Sequence, residues 1–295
     1  MNILVTGSAG FLGKFLVKRL REKPEVDEVL GVDIIQSEDT IVCDIRDFSR
    51  LENVCGSLKP HIIIHAAAQA YVPRSFEDPI EDATINIVGT INVLRLALKY
   101  GSELIFTSSA AVYGKPETLP IPEDHPLNPI SPYGLSKLTG EKYIQLLNME
   151  KSAIIRLSSV YGIQEGRRHG PVNRIVYDAV NYGICYVTGD GNQTRDFTHV
   201  SDVVSAIELI IDKSLTGVYN VGTGEEHSVN DVIRVVEEFL GRKIKVEYKP
   251  KRAGELERCV LDIGRIRAKG YKPQIGFREG VKEVIDHETS RLKKG

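Results

Sequence analysis

Apolar positions alternate between two patterns from the first residues onward. NILVT (2–6), EVLGV (28–32), HIIIHA (61–66) and ELIFTS (103–108) are short, β-branched and apolar on both faces. Parallel strands covered by helices on both sides read this way. Between them, FLGKFLVKRLRE (11–22), FSRLENVCGSL (48–58) and ATINIVGTINVLRLALKY (83–100) carry the period of amphipathic helices. A helix following Pro132 and a strand SAIIRLS (152–158) extend the series. The βαβα succession predicts an α/β fold built on a doubly wound parallel sheet.

Beyond about residue 160 the pattern loosens, with Gly, Pro and Arg collecting in YGIQEGRRHGP and YKPKRAGELERC. Loops and short elements of a smaller second lobe fit that composition. VSDVVSAIELII (200–211) is again a clean amphipathic helix that returns to the first sheet. The expected organisation is a dinucleotide-binding domain over 1–164, rejoined by 193–217, and a discontinuous lobe over 165–192 and 218–295.

A charged fraction of 26% and a net charge of −2 give no basic excess for nucleic acid or a membrane surface. The four cysteines show no CxxC pairing and no histidine at metal-ligand spacing, so reduced buried thiols are expected and no metal site. The opening MNILVTG shows no basic segment followed by an apolar run, and no window approaches the length of a spanning helix. The expected compartment is the cytoplasm.

The first strand runs into TGSAGFLG (6–13), with Gly7, Gly10 and Gly13 immediately before a helix. Glycines there permit a tight turn and close backbone approach, so a pyrophosphate can rest on the free N–H groups of the helix start. The bland alternative is a turn that only needs glycine. In this strand-turn-helix setting the dinucleotide reading is preferred, and it makes the sheet one of Rossmann type. Asp33 closes the second strand, where a carboxylate can accept both hydroxyls of an adenosine ribose and repel a 2′-phosphate, which favours NAD over NADP. Its alternative is a strand-end turn residue.

SPYGLSK (131–137) begins a helix with Ser131 as cap, and places Tyr133 and Lys137 on one face, four residues apart. A free phenol with a pKa of about 10 is a poor base at neutral pH, but an adjacent ammonium favours the phenolate. The pair can then take a proton from an alcohol. A solvated helix face is the alternative, and the glycine loop upstream weighs against it. Ser108 and Ser109 end a strand that borders the ligand crevice of such a sheet. Ser109 is expected to hold a substrate hydroxyl in line with Tyr133, while Ser108 finishes the strand or touches the cofactor.

Taken with CDIRD (43–47), HAAAQAYV (65–72), NIVGT (86–90), SSAAVYG (108–114), GDGNQTRDFTHVSD (189–202), YNVGTGE (219–225) and KRAGE (251–255), these motifs resemble the nucleotide-sugar branch of the extended short-chain dehydrogenase/reductase family. They run in order along nearly the whole chain. The resemblance implies NAD held through Gly7, Gly10, Phe11, Leu12, Gly13 and Asp33, with Asp44 and Ile45 near the adenine. It sets Ala66, Ala67, Ala68 and Asn86 along the cofactor, and Tyr133 and Lys137 on its nicotinamide ribose. Arg195 and Arg252 fall where the family clamps a nucleotide diphosphate, which suits bidentate guanidinium chemistry. The chain departs from the family at Ser159, where an asparagine usually touches the diphosphate side, and at Cys259, where some members carry a bulky tyrosine beside the sugar. A small side chain at Cys259 leaves room for an N-acetyl group.

Among activities on this scaffold, a dehydratase needs an added acid and base. Related dehydratases carry an Asp-Glu pair directly after the strand-end hydroxyl, where this chain has Ala110 and Ala111. The resemblance therefore implies NAD-dependent 4-epimerisation of a nucleotide sugar, of the UDP-glucose/UDP-galactose type, through a transient 4-keto sugar. A nucleotide-sugar 4-keto reductase or other modifying enzyme, and a non-catalytic NAD-binding regulator, are the alternatives. A homodimer is expected through the helices at 83–100 and 133–148, unless both apolar stripes face their own sheet.

Overall fold

The computed structural model describes residues 1–165, 169–251, 254 and 256–293. Its strands are β1 (Asn2–Thr6), β2 (Glu28–Asp33), β3 (Thr40–Val42), β4 (Ile62–His65), β5 (Glu103–Ser109), β6 (Ser152–Leu157), β7 (Ser159–Tyr161), β8 (Ile184–Thr188), β9 (Thr194–Arg195), β10 (Phe197–His199), β11 (Gly217–Val221), β12 (His227–Ser228) and β13 (Lys245–Lys249). Its helices are α1 (Phe11–Arg21), α2 (Phe48–Cys55), α3 (Val72–Glu77), α4 (Pro79–Ala83), α5 (Thr90–Tyr100), α6 (Pro132–Leu146), α7 (Pro171–Tyr182), α8 (Val200–Asp212), α9 (Val229–Leu240), α10 (Gly264–Arg267) and α11 (Phe277–Leu292). A π-helical stretch, Thr84–Gly89, joins α4 to α5.

Seven strands form one sheet in the order β11-β6-β5-β4-β1-β2-β3, and β1 pairs in parallel with both β2 and β4. The order reverses at β1, with β2 and β3 on one side and β4 onward on the other, as in a doubly wound sheet. β1, β4 and the centre of β5 are buried on both faces, which is why they read as unbroken apolar runs. Ile3, Leu4, Val5, Ile63 and Ile64 are fully inaccessible. Register aligns Thr6 with Val32 and His65, so the loops after β1, β2 and β4 leave the same edge of the sheet.

Contacts divide the chain into two units. The first comprises 1–115, 126–156 and 206–219, and the second 116–125, 157–205 and 220–295. Of the expected returning segment 193–217, only the part from residue 206 belongs with the sheet, and the first long stretch ends at Lys115. The second unit is more regular than its composition predicts. Its core joins α7, α9 and α11 around Val176, Ala179, Val232, Val236 and Val281, beside the parallel pair β8 and β13. Helical periodicity in 171–182 and 229–240 is present in the sequence but is overshadowed by the Gly- and Pro-rich segments around it. Ser228 caps α9 in a reciprocal capping box with Asp231.

Candidate active site

At the end of β1 the chain makes a turn that only glycine permits. Gly7 has φ +76°, and a Cβ there would lie 2.6 Å from the Ala67 nitrogen. A Cβ on Gly13 would fall 2.0 Å from the Gly7 carbonyl oxygen. The bare backbones let the loop, the start of α1 and the segment after β4 pack against one another. Gly10 begins α1 without a side-chain cap, and no acid occupies the first turn, so the helix start keeps its positive end for an anion. Phe11 and Leu12, its first residues, are half-buried.

Asp33 ends β2 with its carboxylate accepting the N–H groups of Ala9 and Ile35, each at 3.1 Å. One acid thus ties the glycine loop to the end of β2, and a carboxylate has lone pairs left for two ribose hydroxyls. The Cys43 N–H donates to the Asp33 carbonyl at 2.8 Å, which sets Asp44 and Ile45 beside this corner. Asp44 is ion-paired to Arg46 at 2.6 Å and held below the usual carboxylate range chiefly by the hydrogen bonds from that guanidinium. The Ile45 side chain belongs to the core, where the bare Gly89 admits it. Bare glycines at Gly7 and Gly13, an open helix start and Asp33 together fit a dinucleotide.

The loop after β4 is pinned from behind. Ala66 N–H donates to the Thr6 carbonyl, and Ala67 N–H to the Thr6 hydroxyl at 3.2 Å. His65, fully inaccessible, lies 2.7 Å from that hydroxyl through Nδ1 and 3.0 Å from the Thr90 hydroxyl through Nε2. Thr90 donates its one hydroxyl hydrogen to the Asn86 carbonyl, so it accepts from His65 Nε2–H. Nδ1 is then the acceptor of the Thr6 hydroxyl hydrogen, and the ring is neutral. Burial, reinforced by the charge of Lys137, pushes its pKa down to about 3.

Asn86 sits on the π-helical stretch, a local irregularity that often marks a working site. Its amide accepts from Gln69 N–H and donates to the Gln69 carbonyl, to Asp82 and to Ser136. Its side chain therefore braces the segment containing Ala66, Ala67 and Ala68 from inside the protein.

Ser131 caps α6, its hydroxyl accepting from Gly134 N–H at 3.1 Å, and Pro132 opens the helix. Tyr133 and Lys137 follow on the buried face. The Ser109 hydroxyl is hydrogen-bonded to the Tyr133 phenol, which brings the expected pair together. Burial pushes the phenol up to about 12, while the Ser109 hydrogen bond works against that rise. Lys137 is buried too. Its ammonium donates to the Thr107 carbonyl at 2.9 Å and lies over the Phe106 ring. Desolvation lowers its pKa to about 8, against the pull of Asp82 and Glu141.

Ser108 does not join them. Successive strand residues point to opposite faces, and its hydroxyl donates to Glu141, which is held by Arg156 at 3.0 and 2.7 Å. All three are almost fully buried, and Arg156 also donates to the Tyr113 hydroxyl. Ser108 thus completes a structural ion-pair network rather than facing a cofactor. Sequence reasoning missed Glu141, Arg156 and Asp82. The first is signalled by an acid four residues beyond Lys137 and the last by an acid four residues before Asn86.

In the second unit, three of the expected substrate residues gather around Asp196. Ser159 N–H donates to its carbonyl at 3.1 Å, and its own N–H donates to the Cys259 carbonyl at 2.8 Å. Arg195 is its neighbour on the short antiparallel pair of β9 and β12. The Asp196 carboxylate, 1% exposed, accepts from Thr223 N–H and hydroxyl, Thr198 hydroxyl, Gly224 N–H and Leu261 N–H. Burial raises its pKa and these donors oppose the rise. The Cys259 thiol is pushed up to about 11, mainly by burial, and is inert. Arg252 lies outside the described residues.

The family model described as NAD dependent epimerase/dehydratase matches residues 3–222. The putative UDP-glucose 4-epimerase of Methanocaldococcus jannaschii is 38% identical over 96% of this chain and 97% of its own length. The crystal structure of Thermus thermophilus UDP-glucose 4-epimerase in complex with NAD superposes with a TM-score of 0.91 at 35% identity, covering 98% of this chain and 99% of that one. UDP-glucose 4-epimerase of Thermotoga maritima with UDP-glucose gives 0.92 at 30% identity over the full length of both chains.

Proposed function

Because the chain belongs to the NAD dependent epimerase/dehydratase family, we propose that it is an NAD-dependent nucleotide-sugar 4-epimerase, acting on UDP-glucose and UDP-galactose. The observation that carries this reading is the Ser109–Tyr133 hydroxyl pair with Lys137 on the same helix face, followed along the chain by Ala110 and Ala111 in place of acids. Such a set can move one proton between an alcohol and a phenolate. It has no second acid and base with which to expel a hydroxyl.

NAD would be held by the Gly7–Gly13 loop, Asp33 and the braced segment Ala66–Ala68, with Lys137 and Tyr133 toward its ribose. Bound there, NAD supplies a reversible acceptor for the hydrogen on C4. Ser109 positions the C4 hydroxyl, Tyr133 removes its proton, and Lys137 favours the phenolate that does so. Rotation of the 4-keto sugar turns its opposite face to the cofactor, so return of the hydride to carbon would invert C4 while Tyr133 gives the proton back to the C4 oxygen. We take the sheet unit as the one that binds NAD, and Arg195, Ser159 and Arg252 as the residues that bind the diphosphate. Cys259 leaves room for an N-acetyl group, so N-acetylated hexoses are substrates as well. We further take the protein as a cytoplasmic homodimer. Among the described residues no helix is long and apolar enough to cross a membrane.

The reading is tested by incubating the protein with UDP-glucose and with UDP-GlcNAc and separating C4 epimers. Both are expected to invert, and Tyr133→Phe to lower the rate by about 10²–10⁴-fold. Turnover of UDP-glucose alone would remove the N-acetyl specificity. Full activity of Tyr133→Phe would remove the mechanism.

A further inference from the structure

Two buried carboxylates flank Lys137, and their surroundings differ. Glu141, one turn further along α6, is bound at both oxygens by Arg156, itself 3% exposed. That pair is neutral as a unit. Asp82, on α4 and 1% exposed, accepts only from neutral donors among the described residues, Gln69 Nε2 at 3.1 Å and Asn86 Nδ2 at 3.0 Å, and burial raises its pKa against the pull of these donors and of Lys137. A buried carboxylate without a bound cation is costly unless an opposite charge stands near. Asn86 joins the two elements, donating both to Asp82 and to the hydroxyl of Ser136, the residue before Lys137 on α6, and the ammonium that acts on Asp82 is that of Lys137.

The groups facing Lys137 complete the balance. On its own helix they are Tyr133 and Glu141. From β4 there is His65, neutral by its hydrogen bonds, and from β5 the Phe106 ring and the Thr107 carbonyl, with Arg156 of β6 behind Glu141. Glu141 and Arg156 cancel, which leaves one negative charge, on Asp82, against one positive charge, on Lys137.

We infer that Asp82 is the counter-charge that keeps buried Lys137 protonated, a positioning residue that acts on Tyr133 through Lys137. The assignment rests on the epimerase reading for its meaning in catalysis. Its charge also bears directly on Tyr133, since a nearby anion disfavours a second one. Removing the charge therefore eases loss of a proton from both Tyr133 and Lys137. Both limbs of the pH–rate bell move the same way, toward acid, because the productive form pairs ionised Tyr133 with protonated Lys137 and both groups then lose their protons at lower pH. A purely structural role would lower the bell without moving it.

The experiment compares kcat/KM for UDP-glucose against pH in wild type, Asp82→Asn and Asp82→Glu. The near-ultraviolet titration of Tyr133 is followed in the NAD-loaded proteins, with Tyr133→Phe in each background as the blank. Asp82→Asn should shift both limbs and the Tyr133 titration to lower pH by about one unit. Asp82→Glu, which keeps the charge, should leave them in place even where the rate falls. Should Asp82→Asn not fold, Asp82→Ser removes the same charge and still accepts from Gln69 and Asn86. Unmoved limbs and an unmoved titration in a folded uncharged variant would overturn the assignment, as would an equal shift in Asp82→Glu. The titration needs no turnover, so an inactive wild type would refute the epimerase reading and leave the counter-charge separately tested.

Discussion

His65 shows how much one residue can carry outside any reacting group. Its ring is buried in the sheet, and the single hydrogen on Thr90 fixes which nitrogen donates. A native state that holds this imidazole neutral down to about pH 3 must lose stability in acid. The unfolded chain takes up the proton near pH 6.5 and the folded chain does not. Stability is thus fully present above pH 6.5 and falls by about 1.4 kcal/mol per pH unit below it, until about pH 3. Denaturant unfolding across that range should show a pH dependence about one proton steeper in wild type than in His65→Gln. Equal slopes would mean that His65 is protonated in the folded protein. Tyr133, Lys137 and Ser109 were legible as a set because their spacing and strand-end position are local properties. Ser108 was not, because the partner that turns it inward, Glu141, is distant in sequence and is itself fixed by Arg156 on another strand.

At the scale of elements, the loop between β1 and α1 does what its glycines announce. The need is steric at two points, and Gly13 is the tighter, with the Gly7 carbonyl oxygen where its Cβ would stand. Gly13→Ala should push the loop from Ala67 and the helix start from its anion. The purified variant is expected to lose its bound NAD and about 1–3 kcal/mol of stability, read by absorbance and by thermal unfolding. Retention of NAD at the wild-type level would contradict the packing described. Strands β1, β4 and β5 were legible within a residue or two because burial on both faces leaves a continuous apolar run. The helix expected over 83–100 instead starts at Pro79 as α4 and passes through a π-helical stretch before α5. No periodicity signals that stretch, since its cause is the accommodation of Asn86 and Asp82 against α6 and the Gln69 segment.

For the whole molecule, the apolar stripes anticipated as a pairing surface are not fully absorbed by their own sheet. Ile80, Val88 and Leu98 are 76%, 48% and 50% exposed, and Leu135 and Leu146 of α6 are 56% and 79% exposed. Apolar residues gathered along consecutive helices suit a second copy of the same surface better than water. Light scattering should therefore give twice the chain mass, and Leu135→Glu with Leu146→Glu should give the monomer. A wild-type monomer at micromolar concentration would rule out this dimer. The second unit was the least legible part. Its helices pack on one another through separated segments, and the cluster around Asp196 draws on four stretches of chain that no local pattern connects.

Inversion at C4 should leave the cofactor with no net change. The direct measurement follows UDP-glucose and UDP-galactose by separation while the nicotinamide absorbance of the same sample is recorded, with no NAD added to the purified protein. Approach to a mixture of the two sugars from either side is expected, with the absorbance returning to its starting value. Reduced nicotinamide accumulating in proportion to a released keto sugar, or no inversion in a protein that holds NAD, would contradict it.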